Sequence, residues 1–174
     1  MEQPEFDAVR GDISFLRSAI ARAEALIARI MAMQPPLPTQ LINADLHTDN
    51  VLIRDGMVSG VLDFEFCAVD WRVMELVVGV SKYCGAGNPK PLLEEYVAGY
   101  KEGGGALTAE EAALAPQLVQ LRILNNVVYF AGRALNGEDS IEPLRGRAGV
   151  YAQRCQWLDK NEQYFVALLQ ALVA

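Results

Sequence analysis

The stretch that decides the fold is Ala44-Asp-Leu-His-Thr-Asp-Asn50, followed by a short ribbon that ends in Asp63-Phe64-Glu65. Asp45 and Asn50 bound a loop of the pattern D-x-x-x-x-N. Asn50 begins the first strand of the ribbon and Asp63 ends the second, so folding the ribbon back on itself brings Asn50 and Asp63 together at its open end. We therefore predict that their side-chain oxygens reach one shared cation, with Asp45 beside it and facing the same cleft.

The residue types in this constellation indicate a chemistry. An amide oxygen and a carboxylate suit Mg²⁺, which prefers oxygen ligands and keeps phosphate oxygens and water for its other positions. Asp45 lies on the loop just before and could accept the proton of an attacking hydroxyl. A positioned base, a metal and little covalent chemistry are what phosphoryl transfer requires. A calcium loop is excluded, since the glycine at its sixth position is Asn50 here.

The ribbon and its surroundings can be read from local patterns. Asp55-Gly56 separates the apolar runs 50–54 and 57–63, which is the strongest short signal for a hairpin. An isolated hairpin is marginal in water, so this one must lie on something larger. Apolar spacing and capping signals predict a helix over 13–33 with Asp12 as N-cap, a second over 73–82, and a third from Asn88-Pro89 to Gly103. A capping box at Thr108 and Glu111 predicts a short helix that ends at a break at Pro116, and a longer helix follows to Leu135. The last helical region is predicted over 151–173.

Composition limits the remaining classes. With 174 residues and about half of them apolar, the chain is predicted to form a single domain, residues 1–174, mainly α with a small β-hairpin. A net charge of −7 argues against binding nucleic acid, and no apolar run is long enough to span a membrane. Three widely spaced cysteines without a zinc pattern are typical of free thiols, and no secretory signal is visible, so we expect a cytoplasmic protein.

The wording ADLHTDNVL…GVLDFEF resembles the aminoglycoside phosphotransferase and choline kinase-like family, whose usual form is HGDLHxxNVL…GxIDFE. The homoserine kinase type II branch is the most similar, and the resemblance runs from about Leu41 to Tyr83. It implies the C-terminal, helical lobe of a protein kinase-like fold, with the catalytic loop and hairpin at 41–66 and a helical remainder at 70–174. It also implies Asp45 as catalytic base, Asn50 and Asp63 as Mg²⁺ ligands that bind the cofactor, and ATP as phosphoryl donor.

Two departures from that family form matter. The histidine two places before the catalytic aspartate is Asn43 here, which we expect to brace the loop through its own hydrogen bonds. These kinases also carry a β-rich lobe with a phosphate-covering loop and a lysine. The forty residues before Leu41 read as one helix, and no G-x-G-x-x-G or Walker loop occurs in the chain, so we expect that lobe to be absent and the 174 residues alone to be inactive.

Other readings stay open. The acceptor is expected to be a small hydroxylated metabolite or antibiotic-like molecule, whether a homoserine-like alcohol, a choline-like amine, an aminoglycoside or a sugar. Alternatively, the chain is a non-catalytic helical binding or dimerisation module derived from that lobe, or a metal-dependent hydrolase. The apolar run at Val77, Val78 and Val80 suggests a bare patch, from which we expect a homodimer through the face left by the missing lobe.

Overall fold

The structure is a computed structural model that describes residues 15–85 and 87–174. Its described part is mainly helical with short strands, so the predicted fold class is confirmed. None of the described helices combines the length and apolar character that a membrane span requires. The elements are α1 (Phe15–Met31), β1 (Thr39–Ile42), β2 (Val51–Arg54), β3 (Met57–Val61), β4 (Ala68–Trp71), α2 (Val73–Ser81), α3 (Lys90–Glu102), α4 (Ala109–Leu135) and α5 (Glu142–Leu169), with 3-10 turns at Thr48–Asn50 and Gln170–Leu172.

Helix α4 is the centre of the domain and packs against α1, α2 and α5. Its core face carries Leu118, Val119 and Ile123, all essentially removed from water. The thiols Cys84 and Cys155 lie in the same core, and burial raises their pKa to about 12 and about 11. This one core therefore joins the helices on either side of residues 39–71.

The predicted break at Pro116 is wrong, because α4 runs from Ala109 to Leu135 with Pro116 inside it. A proline in a helix interior removes one backbone hydrogen bond and costs about 3 kcal/mol. Leu114 and Leu118 lie on either side of Pro116 and are buried with it in the core. Burial of such side chains contributes about 1.5–3 kcal/mol each, which offsets the local cost of the proline.

The apolar spacing of the sequence predicts that Ile20 and Ile27 belong to the buried face of α1, but the helix buries a different face. Ala23, Leu26 and Ile30 are buried at the helical spacing of three and four residues, whereas Ile20 and Ile27 stay about two-fifths exposed. The predicted N-cap Asp12 lies outside the described residues. The helix thus presents only a narrow apolar stripe to α4, and its remaining isoleucines line the cavity described below.

The predicted hairpin is confirmed. Strands β2 and β3 are antiparallel, with Val51 opposite Val61 and Arg54 opposite Met57. Asp55 and Gly56 both adopt left-handed φ values, +53° and +76°, as the tight turns that favour Asp-Gly require.

A second ribbon was not predicted. Strand β1 pairs antiparallel with β4, from Thr39 opposite Trp71 to Ile42 opposite Ala68. Asp70 lies in β4, where its Oδ1 accepts a hydrogen bond from the Trp71 N–H at 2.7 Å. Strands β1 and β4 flank residues 43–67, so their pairing brings the two ends of that segment together.

Helix α2 is buried on nearly every side. Val77, Val78 and Val80 are 0–2% exposed, so the expectation that this run forms a bare patch is wrong. Gly79 allows the Tyr96 side chain of α3 to approach closely, since a Cβ at this position would overlap the Tyr96 ring. The run is apolar because it is the core of one chain, and the exposed apolar side chains lie elsewhere, on the ribbons and on the outer faces of other helices.

The start of α4 is fixed by a capping box that also holds a buried charge. The Thr108 hydroxyl accepts from the Glu111 N–H at 3.1 Å, and Glu111 Oε2 accepts from the Thr108 N–H at 2.7 Å. The fully buried Glu111 carboxylate is also paired with Arg72, whose two donors reach both of its oxygens. The turn before α2 is thereby tied to the first turn of α4.

We expect Glu111→Ala to lower the free energy of unfolding by about 3 kcal/mol, because it removes the cap acceptor and leaves the half-buried Arg72 cation without its partner. Urea unfolding followed by circular dichroism measures the change. The matched control is Glu110→Ala, in the same helical turn but exposed, which should cost less than about 1 kcal/mol. Equal losses for the two variants would contradict this account.

Candidate active site

Helix α2 fixes the loop that carries Asp45 through the side chain of Glu75. Glu75 Oε2 accepts hydrogen bonds from the N–H groups of Asn43, at 2.8 Å, and Ala44, at 3.3 Å. A carboxylate that receives two backbone donors fixes both peptide planes. The sequence patterns did not predict this role for Glu75. The neighbouring Arg72 does not pair with Glu75 but binds Glu111.

Asn43 connects the two halves of the predicted site. Its Oδ1 accepts from the Asp45 N–H at 3.1 Å, and its Nδ2 donates to the Asp63 carbonyl at 3.4 Å. An asparagine can do this because its amide is donor and acceptor at once. The side chain therefore braces the loop, as expected for the residue that replaces the histidine of the family form.

The Asp45 carboxylate is 17% exposed, and its two oxygens face different neighbours. On one side, Oδ2 accepts from Asn50 Nδ2 at 3.1 Å and lies 3.5 Å from His47 Nε2. On the other, Oδ1 accepts from Arg122 Nη2 at 3.1 Å. The carboxylate is oriented from both sides, which is the positioning that a general base needs.

Asn50 and Asp63 meet at the open end of the hairpin. The Leu62 N–H donates to the Asn50 carbonyl at 2.8 Å, and this places Asp63 one residue beyond that contact. Asn50 Nδ2 donates to the main chain and side chain of Asp45, so its Oδ1 points away from Asp45. The Asp63 side chain is exposed and its φ is +59°.

These oxygens fit Mg²⁺ better than a metal that needs a full protein cage. Among the described residues there is no cluster of three or more His, Cys, Asp or Glu side chains that could hold a metal. Mg²⁺ often binds through one or two protein oxygens together with the phosphates of a substrate. The shared cation between Asn50 and Asp63 stays a prediction, and it requires phosphate and water oxygens to complete the shell.

His47 shapes the loop. Its Nδ1 accepts from the Asp49 N–H at 3.3 Å and so caps the 3-10 turn Thr48–Asn50. In the neutral ring the proton then lies on Nε2, which faces Asp45. These contacts favour a role for His47 as a loop residue satisfied by hydrogen bonds, rather than as a contact to phosphate or substrate.

Three basic side chains were missed from the sequence: Arg122 binds Asp45, the Asp45 charge acts on Lys82, and Arg154 donates to the Lys82 carbonyl. Arg122 lies 77 positions after Asp45, and no local pattern signals their pairing. Burial lowers the pKa of Lys82, Arg122 and Arg154, while the Asp45 charge opposes this shift for Lys82 and Arg122.

A cavity of about 610 Å³ opens next to the loop, with Ala44 and Arg122 in its wall. Most of the other lining side chains are apolar and come from α1, β4, α2 and α4, among them Ile20, Ile27, Trp71, Met74 and Val78. Its size and lining are typical of small-molecule sites, which are mostly apolar with a few polar groups.

Comparison with known proteins identifies the family. The sequence model of the phosphotransferase enzyme family (APH) matches residues 3–116. This chain belongs to that family. The resemblance inferred from the loop and hairpin is therefore confirmed, and the phosphotransferase enzyme family supports a small-molecule kinase chemistry for these residues. No solved structure gave a significant match.

Individual members of the phosphotransferase enzyme family are also similar. The chain is 32% identical to a homoserine kinase from Beijerinckia indica over 153 residues, 80% of this chain and 47% of that protein. A homoserine kinase from Gluconacetobacter diazotrophicus is 28% identical over 72% of this chain and 43% of its own length. Another, from Phenylobacterium zucineum, is 29% identical over 64% and 36%. The chain spans less than half the length of these curated relatives.

Ala44 supplies a testable feature of the loop. Its φ is +64°, in the left-handed region where a side chain costs about 1 kcal/mol or more and glycine does not. We expect Ala44→Gly to be neutral or to stabilise the fold by up to about 1 kcal/mol, since relief of strain offsets the added freedom of the unfolded chain. Thermal or urea unfolding measures this. The matched control is Ala98→Gly on the exposed face of α3, which should destabilise by about 1 kcal/mol; a similar loss for Ala44→Gly would refute the strain.

Proposed function

We propose that this chain supplies the catalytic loop for transfer of the ATP γ-phosphate to a hydroxyl of a small molecule. In this proposal Asp45 orients the hydroxyl and accepts its proton, while Asn50 and Asp63 hold Mg²⁺ on the phosphates. The observation that carries it is the orientation of Asn50: its amide N–H groups bind Asp45, which leaves its oxygen for a cation. Such a reaction is accelerated mainly by positioning and electrostatics, which this braced loop provides.

The acceptor that we propose is homoserine or a similar hydroxylated metabolite. Its support is the set of similar proteins from three bacteria, each named homoserine kinase. Because the chain spans less than half of each of them, the activity of a whole protein is a proposal here. A cytoplasmic location fits this proposal, since ATP and small metabolites are found there.

We further propose that residues 1–174 act as one catalytic lobe. Kinases of this kind also use a loop that covers the phosphates and a lysine that holds them. The sequence of these residues contains no G-x-G-x-x-G or Walker pattern for that task. On this basis we expect no measurable phosphoryl transfer from the 174 residues alone, and ATP-dependent phosphorylation of homoserine that Asp45→Asn abolishes would contradict the expectation while supporting the role of Asp45.

Nucleotide binding tests the proposed function without turnover. We expect the 174-residue chain to bind ATP in a Mg²⁺-dependent way, and Asp63→Asn to weaken that binding by at least about tenfold, or roughly 1.4 kcal/mol, because a metal ligand loses its charge. Replacing Mg²⁺ by paramagnetic Mn²⁺ should broaden the amide NMR signals of Asn50 and Asp63. The matched control is Asp55→Asn at the far turn of the hairpin, which should bind normally. Mn²⁺-ATP that broadens other regions, or equal losses for both variants, would rule out this site.

A binding or dimerisation module is favoured by a different observation. Leu41 and Val69 are cross-strand partners in the β1–β4 ribbon and are 70% and 75% exposed. Exposed apolar pairs of this kind are typical of interaction surfaces. We propose that the chain forms a homodimer through this ribbon face, and light scattering at micromolar concentration should show the dimer. A 19 kDa species at every concentration would exclude it.

A further inference from the structure

Three cations from three different helical segments converge on the Asp45 side of the domain. Lys82 directly follows α2, Arg122 lies on α4 and Arg154 lies on α5. Arg122 Nη2 binds Asp45 Oδ1 at 3.1 Å, and Arg154 Nη2 donates to the Lys82 carbonyl at 3.1 Å. We call these three residues the cation cluster. It is assembled by the same packing of α2, α4 and α5 that forms the core.

The cation cluster has more donors than acceptors. The Nε atoms of Arg122 and Arg154 are both buried, and neither has a hydrogen-bond partner among the described residues. Within the described part of the chain, Asp45 is the only carboxylate that forms an ion pair with any of the three. A buried donor without an acceptor costs about 1–3 kcal/mol, and native structures contain few of them. One such donor belongs to Arg122, which binds Asp45, and the other to Arg154, which binds Lys82; together they point to an anionic ligand.

Mutual repulsion supports this account. Arg122 and Arg154 both lower the pKa of Lys82, in addition to the larger effect of its burial. An excess of positive charge is therefore concentrated here in a chain whose net charge is −7. A bound anion would relieve the repulsion among the cations and accept the unused hydrogen bonds.

The two faces of Asp45 separate this anion from the ATP phosphates. Asn50 lies on the Oδ2 side, where the proposed Mg²⁺ and phosphates belong, while Arg122 lies on the Oδ1 side. Arg122 also lines the 610 Å³ cavity, whose mostly apolar wall offers room for the carbon chain of a small molecule and also carries the acidic residues Glu24 and Asp70. The acceptor side of the base is thus the side that carries the cations.

We propose that Lys82, Arg122 and Arg154 form a subsite for a carboxylate of the acceptor alcohol, with Arg122 as its main ligand. The inference rests on the proposed function and specifies its substrate class: an alcohol that carries a carboxylate, rather than a cationic amine. The planar guanidinium offers a carboxylate two parallel hydrogen bonds, which an ammonium group does not. When the acceptor takes Arg122, Asp45 loses one of the partners that compete for its proton-accepting oxygen.

NMR titration of the isotope-labelled 174-residue chain tests the subsite with matched pairs of ligands. L-homoserine is compared with 2-amino-1,4-butanediol, and 4-hydroxybutyrate with 1,4-butanediol; the second member of each pair carries a hydroxymethyl group in place of the carboxylate. We expect the carboxylates to bind at least about tenfold more tightly and to shift the signals of the cation cluster. Arg122→Gln should abolish this preference and Arg154→Gln should reduce it, whereas Arg145→Gln, exposed on the same helix as Arg154, should leave it unchanged.

Each other outcome counts against the subsite. Equal binding of acid and diol, or no binding of either, would overturn it, and so would displacement by inorganic phosphate without any response to carboxylates. Thermal unfolding checks that Arg122→Gln is folded, and Arg122→Lys, which keeps the charge but loses the fork, should retain a weakened preference. Mg²⁺-dependent ATP binding that depends on Asp63, without carboxylate preference, would leave the proposed function standing. A carboxylate preference without Mg²⁺-dependent ATP binding would preserve the subsite and contradict the proposed phosphoryl transfer.

Discussion

The carboxylate of Glu75 is the contact on which the candidate site depends. It binds the backbone of Asn43 and Ala44, and it is carried by α2, a helix enclosed on nearly every side by the core. A loop tied to such a helix has the precision of the core instead of the mobility of a surface turn. The left-handed backbone at Ala44 is sustained by these bonds, because strained conformations persist only where the surroundings over-determine them.

From that anchor the site extends in two directions. Asn43 links the Asp45 backbone to the hairpin end, so Asp45 and the proposed cation ligands belong to one hydrogen-bonded unit. Arg122 links Asp45 to α4 and so to the centre of the helical layer. The hairpin side supplies oxygens, and the helical side supplies cations and an apolar cavity. A metal-bound phosphate and an organic acceptor would meet these needs from opposite sides of one carboxylate.

Local sequence patterns predicted those features whose causes are local. The Asp55-Gly56 turn, the Thr108 capping box and the D-x-x-x-x-N loop each depend on residues a few positions apart, and the structure contains all three. The β4 strand and the passage of α4 through Pro116 depend on tertiary packing, which overrides propensity. Arg122 could not be found, since its partner is 77 positions away and an arginine on a helix usually faces water. The role of Glu75 could not be predicted either, because the backbone groups that it binds, at Asn43 and Ala44, are also far away in the sequence.

The two core thiols give the architecture a chemical consequence. Cys84 and Cys155 sit where the segments after α2 and within α5 enclose the core, and burial keeps both protonated at neutral pH. Only a thiolate reacts readily with an alkylating or oxidising reagent, so these cysteines react when the helices part and water enters. Modification of Cys84 and Cys155 therefore reports the opening of the helical layer, whereas the partly exposed Cys67 can react without it. Oxidation of the two core thiols would mark molecules that had already lost the surface beneath the Asp45 loop.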